Sequence, residues 1–80
     1  MRFQFTLRMA SRAGAAVHQV LGEYPAKSLE ELMEIISDCP FIMVEEIYKD
    51  AEAGRNGGYH GVGDLLINTN IIGKVKVHKD

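Results

Sequence analysis

The chain is poor in residues that staple, break or anchor a fold. It has one cysteine, Cys39, two prolines and no tryptophan. A lone cysteine closes no internal disulfide, which excludes a disulfide scaffold and fits a reducing, cytoplasmic setting. It also excludes a metal site built on two cysteines. No apolar run approaches the ~18 residues that a membrane helix needs, so no membrane contact is expected. In the segment MRFQFTLRMA polar residues separate the apolar ones, whereas a secretory leader needs an unbroken apolar stretch.

What is present is ordinary for a folded protein. Hydrophobic residues make up 46% of the chain, too many for intrinsic disorder. A length of 80 residues gives one domain, 1–80, with a small core. The net charge of -2 hides a layered distribution. Residues 1–27 hold Arg2, Arg8, Arg12 and Lys27 against Glu23. Residues 28–52 hold Glu30, Glu31, Glu34, Asp38, Glu45, Glu46, Asp50 and Glu52 against Lys49. Residues 53–80 hold Arg55, Lys74, Lys76 and Lys79 against Asp64 and Asp80. The middle of the chain is therefore acidic and both ends are basic, a layout that steers charged partners.

Local patterns define the elements. Phe3, Phe5, Leu7 and Met9 alternate with Arg2, Gln4, Thr6 and Arg8, the period of a half-buried strand. Ser11–Gly14 supplies a turn in which Gly14 is free to take positive φ. Residues 16–24 form the return strand, with Gly22 expected at a bulge. Ser28, Leu29, Glu30 and Glu31 form a capping box, in which Ser28 accepts the Glu31 N–H and the Glu31 carboxylate reaches back to the Ser28 N–H. Leu29, Leu32, Met33 and Ile36 then fall on one helical stripe. Pro40 ends that helix, because it disfavours α geometry at Cys39.

The β-branched and aromatic run at residues 41–49 predicts a third strand. Residues 50–58 form a polar turn with a left-handed Asn56-Gly57 pair. Residues 59–67 make a fourth strand, Asn68-Thr69-Asn70 interrupts, and residues 73–78 make a short last one. The order β-β-α-β-β-β predicts an α+β fold, an antiparallel sheet of four to five strands with the helix packed on one face. The expected core is Phe3, Phe5, Leu7, Leu29, Leu32, Met33, Ile36, Val75 and Val77.

Residues that suggest chemistry do not assemble it. Gly57–Gly63 has the wrong spacing for a dinucleotide fingerprint and leads into a strand, not a helix. His18, His60 and His78 have no helical spacing to one another or to Cys39, so they form no local metal pair and are expected on exposed strand positions. Cys39 follows the negative end of the helix beside Asp38, which disfavours a thiolate nucleophile. Glu45 and Glu46 are adjacent on a strand and point to opposite faces. No cofactor, metal or catalysis is expected.

Two charged surfaces remain. Glu30, Glu31, Glu34 and Asp38 on the helix, joined by Glu45, Asp50 and Glu52, would dock on a basic patch of a protein partner, including one that normally holds nucleic acid. Arg2, Arg8, Lys74, Lys76 and His78 would share the sheet face away from the helix if the first and last strands are neighbours. With Tyr59 nearby, that face would suit single-stranded nucleic acid. A sequence pI of about 5.9 argues against the second surface.

The join Glu23-Tyr24-Pro25-Ala26-Lys27-Ser28-Leu29-Glu30-Glu31-Leu32, followed by the strand Phe41 to Tyr48, resembles the organisation of small phage and mobile-element accessory proteins. Some anti-CRISPR proteins, with one helix cradled by an antiparallel sheet, are among them. The resemblance covers most of the chain as architecture and contains no diagnostic motif. It implies a protein that binds and blocks a host nucleoprotein complex without catalysis.

An open sheet leaves two edges, so a homodimer is expected to cover them. The capping box gives a direct test. Ser28→Ala should cost about 1 kcal/mol in thermal unfolding, the usual loss for an N-cap. Unchanged stability would mean that the helix starts elsewhere.

Overall fold

A computed structural model describes residues 1–11, 14–49 and 58–79. Among the described residues there are five strands and one α-helix: β1 (Arg2–Ser11), β2 (Gly14–Glu23), α1 (Leu29–Asp38), β3 (Phe41–Lys49), β4 (Tyr59–Asn68) and β5 (Ile72–Val77). A single 3-10 turn, Thr69–Ile71, separates β4 from β5. All strand pairs are antiparallel, and the strand order is β4-β3-β2-β1-β5. This is the expected α+β fold with the expected order of elements. The turn at residues 50–57, with its Asn56-Gly57 pair, lies outside the described residues.

β1 is the centre of the design. It pairs with β2 along its whole length, from Arg2 opposite Glu23 to Ser11 opposite Gly14. Gly14 has φ +116, the freedom expected of it at that turn. On its other side β1 pairs with β5, Phe3 opposite Val77 and Phe5 opposite Val75. Residues opposite each other share a face, so Phe3, Phe5, Leu7, Val20, Val75 and Val77 form one apolar surface. The helix covers that surface, and Phe3, Phe5 and Leu32 are wholly buried. Fully burying a side chain of this size contributes roughly 1.5–3 kcal/mol.

Four features differ from the sequence pattern. First, Leu29 and Met33 are 38% and 62% exposed and do not join the core. The helix is rotated so that Leu32, Ile35, Ile36 and Cys39 face the sheet. Second, Ile42, Val44 and Ile67 are buried in the same cluster, carried there by β3 and β4. Third, Gly22 makes no bulge, since the β1–β2 register runs unbroken past it. A Cβ at Gly22 would stand 3.0 Å from Val44 Cγ2, so the glycine is there for close approach. The register shifts occur elsewhere, between Thr6 and Leu7 against β5 and between Glu46 and Ile47 against β4. Fourth, the Glu31 carboxylate accepts from the Lys27 N–H (3.2 Å), one residue before the expected donor. The other half of the box is as expected, with the Glu31 N–H donating to Ser28 Oγ at 3.1 Å.

The exit of the helix is fixed by Thr69, a buried polar residue. Its hydroxyl donates to the Cys39 carbonyl at 2.6 Å, and its N–H donates to the Pro40 carbonyl at 2.9 Å. Thus the turn before β5 satisfies backbone groups that the end of α1 leaves open. Thr69→Val keeps the shape but strands the Cys39 carbonyl. It should cost about 1–3 kcal/mol in urea unfolding at constant m-value, while Thr69→Ser should lose less. Equal stability of wild type and Thr69→Val would show that the clamp is not holding the junction.

Candidate protein-interaction surface

Helix α1 carries four acidic residues and no basic one. Glu30, Glu34 and Asp38 succeed each other at four-residue intervals and are all exposed, so they form one row along the outer side of the helix. Glu31 is partly buried and engaged in the N-terminal cap. Glu45 does not extend this row. It alternates with buried Val44, so it points to the sheet face opposite the helix. There it stands between Glu23 on β2 and Asp64 on β4. Asp50 and Glu52 lie outside the described residues.

The acidic trio Glu23, Glu45 and Asp64 was hidden from a reading along single strands, because only strand register makes these residues neighbours. Like charges opposite each other destabilise a sheet. Among the described residues, no group of three or more His, Cys, Asp or Glu side chains could hold a metal ion. Glu45 and Glu46 alternate faces, as expected.

The basic residues are brought together by the pairing of β1 with β5. Lys76 stands opposite Gln4 and Lys74 opposite Thr6, so Arg2, Arg8, Lys74 and Lys76 share the open face of the sheet. Arg8, Lys74 and Lys76 are exposed. Arg2 is not, and the reason lies in how the sheet curls.

β3 pairs with β2 over three residues only, Glu45 to Ile47 against Leu21 to Glu23. In a flat sheet the four strand spacings from β4 to β5 would total about 19 Å. Yet Tyr59 of β4 shares a hydrogen bond of 2.9 Å with Nε2 of His78, just beyond β5. The hairpin of β3 and β4 therefore bends over the open face. The Arg2 guanidinium lies 4.1 Å from the centre of the Tyr59 ring, and Ile47, which by alternation points to this same face, is buried. The Tyr59 ring also meets the His78 ring edge-on, at 5.9 Å. His78 is thus half-buried and bonded, unlike the exposed histidine expected there, whereas His18 and His60 are exposed. His60 stacks on Tyr48, with ring centres 5.2 Å apart.

On the helix side, Leu29, Met33 and Ile36 face Gly73 and Val75 across a groove of about 460 Å³ between α1 and β5. The two exposed apolar helix residues are its outer wall. No helix among the described residues is long and apolar enough to cross a membrane. Compared with known protein families, with curated proteins and with solved structures, the chain matches none.

The crossing at Tyr59 makes a stability prediction. Tyr59→Phe keeps the ring against Arg2 and removes the hydroxyl, so it should cost about 1 kcal/mol. Tyr59→Leu also removes the cation–ring attraction and should cost about 0.5–1 kcal/mol more. Chemical denaturation of both variants tests this ordering. Two variants as stable as wild type would mean that the bend over the open face is held by other contacts.

Proposed function

We propose that the chain is a non-catalytic, cytoplasmic accessory or inhibitor protein that holds a protein partner through Glu30, Glu34 and Asp38. The observation that carries this is that the row repeats one charge along the helix and ends at Asp38, although Glu30 in the first turn suits the helix dipole. Glu30 with Glu34, and Glu34 with Asp38, are like-charged pairs one turn apart, each unfavourable by about 0.2–0.5 kcal/mol. Asp38 also sits at the negative end of the helix dipole, where a basic residue would stabilise. Helix stability alone would favour lysine or arginine among these positions. A partner with a basic patch supplies the missing counter-charge. Patches that bind nucleic acid are one such surface, because they neutralise phosphates with lysine and arginine. Blocking one would make this chain an inhibitor of a nucleic-acid-binding complex, like the phage and anti-CRISPR proteins that its architecture resembles.

A second reading, a small nucleic-acid-binding module, draws on the adjacency of β1 and β5, which puts Arg8, Lys74 and Lys76 side by side. It is the weaker one, because its proposed stacking residue Tyr59 and its fourth cation Arg2 are occupied with each other.

Glu34→Lys separates the two. It converts both like-charged pairs to opposite charges, so stability should be unchanged or rise by a few tenths of a kcal/mol. Affinity capture from the source cell should then retain a partner with the wild-type protein, resist nuclease treatment and fail with Glu34→Lys. Should nuclease release the partner, and Arg8→Glu with Lys76→Glu abolish capture while Glu34→Lys does not, the basic face is the working surface.

A further inference from the structure

The edge strand β5 combines three features that no other element among the described residues uses. The His78 N–H donates to the Arg2 carbonyl at 3.0 Å. Because antiparallel bonding alternates, Lys76 and Lys74 also turn their backbone groups toward β1, and Val75 and Val77 turn theirs outward. Next to those outward groups, on the helix side, lies the apolar groove walled by Leu29 and Met33. On the other side stand the exposed Lys74 and Lys76. A strand laid against β5 would therefore send alternate side chains into the groove and the rest beside two lysines.

We propose that β5 accepts an extended segment of a partner protein in which apolar and acidic residues alternate. The apolar residues enter the groove beside Met33 and Val75, and the acidic ones pair with Lys74 and Lys76 across the strands. Glu30 on the groove rim opposes the inverted placement, in which acidic side chains would enter on the helix side. A second copy of this chain is disfavoured at the same edge. Two β5 strands laid antiparallel would set Lys74 and Lys76 against each other, and like charges directly opposite are destabilising. This inference stands apart from the acidic row on α1, since it rests on the edge of β5 and on Lys74 and Lys76, and of that row only Glu30 borders the groove.

Two blocked peptides of about seven residues test it, one alternating Val with Glu and one alternating Val with Lys. The Val/Glu peptide should bind about tenfold more tightly or better, the swing expected of two cross-strand charge pairs. It should shift the Val75 and Val77 amide resonances and slow their hydrogen exchange. Lys74→Glu with Lys76→Glu should reverse the preference toward the Val/Lys peptide, and Glu34→Lys should leave both affinities unchanged. Equal affinities, no binding of either peptide, or binding that leaves Val75 and Val77 unshifted would each overturn the proposal. So would protection of those two amides that grows with protein concentration in the absence of peptide, since it would make a second copy the occupant.

Discussion

The architecture depends on a junction three residues wide. β1, β2 and β5 form one well-paired unit, and β3 with β4 forms another. Between them only Leu21 to Glu23 and Glu45 to Ile47 are in register. So short a ladder cannot fix the angle between two hairpins, and packing must do so. Under the helix, Val44 meets Gly22 so closely that a Cβ there would press on its side chain at 3.0 Å, and Ile42 and Ile67 complete the cluster around Leu32. Over the open face, Tyr59 holds His78 and Arg2, and Ile47 of β3 is buried on the same face. The two hairpins are thus clamped from both sides of the sheet.

That clamp also divides the surface by charge. It withdraws Arg2 from the open face and leaves Arg8, Lys74 and Lys76 along the β1–β5 flank. It places Glu23, Glu45 and Asp64 in a lateral line across the junction. The outer side of α1 carries a separate acidic row, and the gap between α1 and β5 exposes apolar side chains. The most concentrated charge of one sign on a single described element is that of α1, where like-charged carboxylates one turn apart lower helix stability. An unfavourable arrangement on an otherwise well-capped helix is a stronger pointer to a partner than charge alone.

Much of the fold was legible from local pattern. The alternation from Arg2 to Met9 gives β1 its buried face, and Ser28 with Glu31 marks the helix start, because these signals rest on neighbours within four residues. The helix stripe was legible only in part. Leu29 and Met33 have the right spacing but lie on the flank, since the direction in which α1 lies on the sheet depends on the strands it covers. The contribution of β3 and β4 to the core was not legible, because it follows from how a three-residue junction turns the second hairpin. The candidate surfaces divide the same way. Glu30, Glu34 and Asp38 lie within one helix and are set by its period, whereas Glu45, expected to join them, points to the sheet face away from the helix.

The sequence by itself determined the order of elements, the boundaries of α1, the freedom required at Gly14 and the acidic row, all of which depend on backbone periodicity and local hydrogen bonds. Only the tertiary structure decided that Tyr59 reaches His78, that Arg2 is covered, that Thr69 closes the end of the helix, and that β5 is an edge beside an apolar groove. The contacts among these join residues far apart in the chain, 19 positions for Tyr59 and His78 and 30 for Thr69 and Cys39. Such contacts form when the chain buries its apolar surface as a whole, and no local spacing records which of the possible pairings that burial selects.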